Sequence, residues 1–305
     1  MKKMKSIIYF LTAGLFIFSI STTNAQDEEE GPKPERKAFE SAVLLENQTD
    51  VINTKNTLEW NIQHRFGAVS NGISDFYGLW AASNIRLGFS YTLTDRLGIG
   101  FGLTKIGEFG GTNPFIDLNV KYKILEQMRS GWPWVNLTYY GNAAIDTRNG
   151  DNFDKGAHRM SYFHEGIMSR RITYKLSAQV SLQYSHFNAV DTLYENDMFG
   201  ISVGARYKIS PQTSIIFEWT EPTLEHDHAY ATGDFKRDTG PNRNVSLGIE
   251  IATSAHAFQI FVSTYRSILP QYNLHYNTNE WIREINGENK LSFLVGFNMT
   301  RLWNF

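Results

Sequence analysis

The side chains most capable of chemistry in this 305-residue chain are charged residues that recur at every second position. Where charged and apolar residues alternate, the two kinds of side chain lie on opposite faces of a β-strand. Charged groups on an enclosed face must pair or meet water, because isolating each one is costly. They can therefore line a hydrated pathway or brace a closed interior. The candidates are Glu59, Arg65, Arg86, Asp117, Lys121, Lys123, Arg206, Lys208, Glu218 and Glu250.

A metal site is a second possibility, at a run of imidazoles and a carboxylate in a long loop, His226, Asp227 and His228. Zinc and copper accept such ligands. Adjacent loop residues form poor closed sites, however, and no second ligand pair stands nearby in the sequence. The favoured interpretation is a solvated polar loop, and no cofactor is expected.

Lipid hydrolysis is a third possibility, because Ser70-Asn71-Gly72 faintly resembles the serine motif of an outer-membrane phospholipase. That chemistry needs a histidine hydrogen-bonded to the serine. The histidine expected two residues before the serine is replaced by Ala68, and His64 lies six residues away. A Ser-Asn-Gly sequence is more often simply a turn. No catalytic residue is predicted.

Strands must position the charged residues, and period-two alternation is sustained for about ten residues at a time. In 176–185, for example, leucine, alanine, valine and tyrosine alternate with serine and glutamine. The last residues, 291–305, alternate in the same way and end on Trp303 and Phe305. Twelve strands are expected, near 57–66, 85–93, 97–103, 116–124, 133–146, 158–170, 174–187, 198–210, 212–222, 243–253, 256–267 and 290–305.

The connections between these stretches alternate in length. Short turns are expected at 94–96, 171–173, 211 and 254–255, and long loops at 145–157, 188–197, 221–242 and 267–289. A transmembrane barrel has this asymmetry between its rims, whereas a secreted sandwich has no reason for it. No apolar run reaches the ~18 residues that a membrane-spanning helix needs. The sequence therefore predicts an all-β fold, a transmembrane antiparallel up-and-down β-barrel of about twelve strands over 57–305.

The N-terminus has a different character. Lysines at positions 2, 3 and 5, an apolar core and small residues up to Ala25 predict a secretory signal peptide over 1–25. Its removal leaves 26 basic and 31 acidic residues, a net charge of −5, which gives no basic field for nucleic acid. Residues 26–56 are predicted to form a flexible periplasmic leader, in which 42–45 makes a short helix or a plug contact. The absence of cysteine excludes disulfides and thiolate metal sites.

Two resemblances add to this pattern. The last strand, with its final Phe305, resembles the terminal strand of bacterial outer-membrane barrels, which the assembly machinery reads by its last aromatic residue. The stretches 64–67 (His-Arg-Phe-Gly), 76–80 and 84–88 (Asn-Ile-Arg-Leu-Gly) resemble a family of uncharacterised bacterial membrane-bound β-barrel proteins. The family resemblance implies a barrel over roughly 47–305 and no activity.

The leading hypothesis is a channel or transport barrel for small hydrophilic solutes in the outer membrane of a Gram-negative bacterium. The alternative is a structural or partner-binding barrel with a sealed lumen, and the hydrolase is weaker. Expected partners are outer-membrane lipid and, through Phe305, the barrel assembly machinery. Twelve strands lie between barrels filled by side chains and barrels with an open channel. An open lumen is expected, whose Arg65, Lys121 and Lys123 would favour anions modestly. The sequence leaves the oligomeric state open.

Overall fold

A closed barrel of antiparallel strands forms the body of the protein, in a computed structural model that describes residues 33–107, 114–190, 194–223, 241–285 and 287–305. Its strands are β1 (Thr57–Ala68), β2 (Asn84–Thr94), β3 (Leu97–Lys105), β4 (Phe115–Leu125), β5 (Asn136–Asp146), β6 (Met160–Arg171), β7 (Leu176–Phe187), β8 (Asp197–Lys208), β9 (Thr213–Pro222), β10 (Asn244–Ala252), β11 (His256–Ser263) and β14 (Leu294–Asn304). Each strand pairs with its neighbours in the sheet, and β1 closes the barrel against β14. The predicted twelve-stranded up-and-down barrel is confirmed.

Most apolar side chains of the strands face outward, and most polar ones face inward. Leu87, Phe89, Val180 and Leu182, which lie at the apolar positions of the alternating pattern, are between 39% and 66% exposed. The intervening residues of β7 are serines and glutamines, and they are buried. A protein surrounded by water would gain nothing from this inversion, whereas a barrel in a bilayer requires it. The exterior is therefore that of a membrane barrel.

The two rims of the barrel differ as predicted. One rim, here called the short-turn rim, carries the connections 95–96, 126–135, 172–175, 209–212 and 253–255. The long-loop rim carries 69–83, 106–114, 147–159, 188–196, 223–243 and 264–293. Both the start of β1 and the end of β14 lie at the short-turn rim, since Thr57 pairs with Asn304. Within the described ranges, no helix is long and apolar enough to cross a membrane.

The last long loop has more structure than the sequence predicts. It contains a short helix, α1 (Pro270–Tyr276), and a two-stranded hairpin of β12 (Ile282–Ile285) and β13 (Glu288–Leu291). The predicted strand over 290–305 is therefore too long, since β13 turns back on β12 and the barrel strand begins at Leu294. Gly287, with a φ of 77°, allows the tight turn of this hairpin. Phe293, predicted to lie on the strand, instead precedes it, with its ring 5.1 Å from that of Trp281.

Most of the described residues before β1 lie inside the barrel. Residues 34–56, here called the luminal segment, belong to the same compact unit as the strands. Phe39, Leu44 and Leu45 are at most 1% exposed and pack with Ile216 and Phe261 of the wall. The prediction of a flexible leader over 26–56 is therefore wrong for residues 34–56, because apolar side chains of this part are buried against apolar residues of the lumen. Residues 1–25, predicted as a signal peptide, lie outside the described residues.

Candidate functional site

The luminal segment enters and leaves the barrel at the short-turn rim. Near its start, the N–H of Glu35 donates to the carbonyl of Gln127 at 2.7 Å, and at its end the N–H of Asn56 donates to that of Thr92 at 2.9 Å. Between them the chain turns at 44–47, where the first N–H donates to the last carbonyl at 2.8 Å. The segment is thus an inserted loop with its tip inside the lumen. The plug contact, rather than a short helix, is what the structure shows for 42–45.

A carboxylate of the wall holds the tip of this loop. Glu218 on β9 is fully buried and accepts hydrogen bonds from the backbone N–H groups of Leu45 (3.0 Å), Glu46 (3.0 Å) and Asn47 (2.8 Å). Successive N–H groups that converge in this way form a concave anion site. Here the anion is part of the barrel, so the contact fixes the position of the loop inside it.

An arginine of the wall makes the second contact with the tip. The buried Arg65 on β1 directs Nε and Nη2 at the carboxylate of Glu46, with distances of 2.9 to 3.1 Å. Its Nη1 donates to Oδ1 of Asn298 at 2.9 Å, and its Cζ lies 4.6 Å from the ring centre of Phe261. Two-pronged guanidinium–carboxylate pairs are among the stronger hydrogen-bonded contacts.

Further wall side chains donate to backbone carbonyl oxygens of the segment. These pairs, with the wall residue first, are Lys121 with Ala42 (2.9 Å), Gln179 with Gln48 (2.8 Å), Gln259 with Val43 (3.1 Å) and Asn298 with Leu45 (2.9 Å). The donors come from β4, β7, β11 and β14, on different sides of the barrel. Donors therefore lie on both sides of this contact, since the wall side chains donate to carbonyl groups of the segment and backbone N–H groups of the segment donate to Glu218.

Other inward charges pair within the wall. Arg86 and Asp117 form a buried pair, with Nη2 and Oδ1 2.7 Å apart, and Asn142 donates to the same oxygen at 2.9 Å. A Cβ at Gly102 on β3 would overlap both members of this pair, so the glycine makes room for it. Arg206 and Glu250 form the second wall pair at 2.9 Å. The Arg86–Asp117 pair braces the wall without the segment, whereas Glu40 contacts Arg206 and Ser41 donates to Glu250 at 2.7 Å.

All ten charged residues predicted from the sequence project into the lumen. Nine of them are buried, and Lys208, near the short-turn rim, is partly exposed. Their remaining partners are Asn53 for Glu59 (2.7 Å), Glu126 for Lys123 (3.2 Å) and Glu40 for Lys208 (3.5 Å). The structure therefore brings the predicted set together around one feature, the luminal segment.

Asp50 is the least satisfied acid of the segment. It is 3% exposed, and its Oδ1 has no hydrogen-bond partner among the described atoms. Burial raises the pKa of this carboxyl above its usual range, and Lys123 and a hydrogen bond with Ser169 only partly oppose the shift.

The long-loop end of the lumen is filled by α1. Leu274 packs among Tyr140, Phe163, Ile167 and Met198 from three strands. Gln271 donates to Oδ1 of Asn142 at 3.1 Å. Between the luminal segment and strands β1 to β5 remains a cavity of about 50 Å³, lined by residues that include Arg86 and Lys121. Its volume suits a few water molecules and no larger solute.

The described residues do not form a site for lipid hydrolysis or for metal binding. His64 lies on the outer face, stacked on Phe297 at 5.1 Å, whereas Ser70 lines a groove at the long-loop rim, and no hydrogen bond joins them. The candidate metal ligands His226, Asp227 and His228 lie outside the described residues. Within the described residues, no cluster of three acids, histidines or cysteines could hold a metal ion.

Sequence reasoning gave a plug contact as one possibility for 42–45 but missed the other residues that occupy the lumen. Glu40, Glu46 and Asn47 fall in the predicted leader, and α1 falls in a predicted loop. One signal was available, because Phe39 and the apolar residues 43–45 are unexpected in a solvated linker. No local pattern indicates that Glu218 accepts from their backbone.

The closed barrel, its apolar exterior and its polar, occupied lumen define an integral membrane β-barrel. Residues 39–303 match the family described as membrane bound beta barrel domain (DUF5777). The chain belongs to this family. No curated protein matches the sequence.

Three solved structures illustrate the similarity of fold. The NanC porin is 10% identical over 81% of this chain and 99% of its own, with a TM-score of 0.49. An outer membrane channel from Pseudomonas putida F1 is 14% identical over 83% and 97%, with a TM-score of 0.46. The KdgM porin in complex with disordered oligogalacturonate is 8% identical over 80% and 98%, with a TM-score of 0.45.

Proposed function

We propose that this protein is a channel of the Gram-negative outer membrane for small hydrophilic solutes, held closed by its own luminal segment. In this assignment the short-turn rim faces the periplasm and the long-loop rim faces the outside. Withdrawal of the segment toward the periplasm opens the lumen.

The observation that carries this proposal is the set of hydrogen bonds between the segment and the wall, which lies beside the apolar cluster of Phe39, Leu44 and Leu45. Glu218, Arg65, Lys121 and three amide side chains hold the segment through hydrogen bonds. When such surfaces separate, water replaces each lost partner, so neither side is left unsatisfied. Both ends of the segment lie at the same rim, which lets it leave without threading through the barrel.

A second candidate is a sealed barrel that works through its long loops. It is favoured by α1, whose buried Leu274 closes the other end of the lumen through an apolar cluster. An apolar contact of this kind loses its stabilisation on exposure to water, and the same holds for Phe39, Leu44 and Leu45 of the segment, so both α1 and the segment resist displacement. In the channel proposal α1 must move as well, since it fills the external end.

Planar-bilayer conductance of the purified full-length protein tests the proposal. We expect rare openings of the native protein and frequent openings of Glu218→Ala, which loses the contact at the tip. Asp117→Asn is the control, because Asp117 is also a buried wall carboxylate but its partners Arg86 and Asn142 belong to the wall. If Glu218→Ala keeps a heat-modifiable barrel and stays silent, the lumen is sealed and the second candidate is correct.

A further inference from the structure

The ion pairs between the luminal segment and the wall all have the same polarity. Among the described residues, each such pair joins an acid of the segment to a base of the wall. They are Glu46 with Arg65 (2.9 Å), Glu40 with Arg206 (3.3 Å) and Lys208 (3.5 Å), and Glu35 with Arg171 (3.9 Å). The bases of the segment, Arg36, Lys37 and Lys55, are exposed instead. The segment thus presents carboxylates to cationic positions of the lumen.

The Arg65 position is the most completely built of these. Its guanidinium is fully buried, its Nη1 is oriented by Asn298, and the ring of Phe261 covers one face. Those supports belong to the wall and remain when the segment leaves. Two groups leave with the segment. One is the carboxylate of Glu46, which Arg65 contacts, and the other is the carbonyl of Leu45, to which both Arg65 and Asn298 donate. The vacated position is therefore a guanidinium fork with a nearby amide donor, which suits a carboxylate.

When the segment leaves, the charges of the lumen wall that lose a partner have a positive sum. Withdrawal removes the partners of four cations, Arg65, Lys121, Arg171 and Lys208. It removes donors from three carboxylates that have no ion-pair partner, Glu59, Glu165 and Glu218. Arg206 and Glu250 keep each other. Anions are therefore favoured in the vacated lumen over cations, and screening by salt weakens this preference.

From these contacts we infer that the permeant solutes are small hydrophilic carboxylates, and that they compete with Glu46 for Arg65. This inference rests on the proposed channel function and names the class of solute that the channel takes. A bound carboxylate occupies the fork, so the segment cannot return to its place and the channel stays open. Glu46 acts as the internal competitor that keeps the lumen closed in the absence of solute.

The test is the Glu46→Gln variant, which keeps the size of the side chain and leaves every wall residue in place. The same exchange at the exposed Glu288 on β13 is the matched control. We expect Glu46→Gln to raise the open fraction about tenfold or more, the effect of losing one charge-assisted pair. In a potassium chloride gradient, the reversal potential should show selectivity for chloride, and Glu288→Gln should behave like the native protein.

Gluconate and sorbitol then probe the solute class, since they share a carbon skeleton and differ in the carboxylate. Gluconate should reduce the chloride current of open Glu46→Gln channels and should raise the open fraction of the native protein, whereas sorbitol should do neither. Equal effects of the two solutes, or cation selectivity, would overturn this inference while leaving a conducting channel. If neither Glu46→Gln nor Glu218→Ala conducts, the proposed function fails as well.

Discussion

Removal of the Glu218 carboxylate should release the luminal segment from the barrel wall. Glu218→Ala deletes the shared acceptor of three backbone N–H groups at the tip, at distances of 2.8 to 3.0 Å. Hydrogen bonds to a charged group contribute about 1.5–3 kcal/mol each, and the freed N–H groups regain part of this from water. We therefore expect the attachment to weaken by about 4 kcal/mol in total. That corresponds to about a thousandfold larger released population.

The absence of cysteine offers a direct assay for this release. Ala38 is 1% exposed within the segment, so Ala38→Cys creates a single, shielded thiol. The rate at which a membrane-impermeant maleimide labels this thiol reports the released population when opening is fast compared with labelling. In the Glu218→Ala background, labelling should accelerate by about the same factor, while the barrel keeps its heat-modifiable mobility on gels.

Asp117→Asn in the same Ala38→Cys background separates release of the segment from general loosening. Asp117 is as buried as Glu218, but it pairs with Arg86 in the wall. We expect a lower unfolding temperature with unchanged labelling. An unaltered labelling rate in Glu218→Ala, or equal acceleration in Asp117→Asn, would show that Glu218 does not hold the segment.

Three further changes test the wall and the external end. Arg86→Ala leaves the buried Asp117 carboxylate unpaired and should cost about 3–5 kcal/mol, seen as an earlier heat-induced shift on gels. Gly102→Ala should destabilise the barrel in the same assay because its Cβ overlaps that ion pair, whereas Gly166→Ala, with open space around it, should not. Leu274→Ala should loosen α1 by about 2–5 kcal/mol, which limited proteolysis of the 264–293 loop would detect as faster cleavage with the strands intact. Unchanged cleavage would mean that the Leu274 cluster does not hold α1 in the lumen.

The inward and outward faces of the barrel were predictable from the sequence because alternation is a local property. Along β7, Val180 and Leu182 alternate with Gln179 and Ser181, and a strand sends such neighbours to opposite faces wherever it lies. Loop lengths are likewise read directly from the chain, and they predicted the two rims. The inward charges, among them Arg65 and Glu218, followed from the same parity.

The contents of the lumen were decided only by the tertiary structure. The N–H groups of Leu45 and Asn47 meet Glu218 across more than 170 residues of sequence, and no local pattern records that contact. Such contacts decide whether the interior is open or filled. Without a partner Arg65 would line a pore, whereas its ion pair with Glu46 holds the luminal segment in place. The alternation of side chains along a strand determines which of them point into the barrel. The partner of each side chain there depends on how the whole chain closes around the segment, and that is a long-range property.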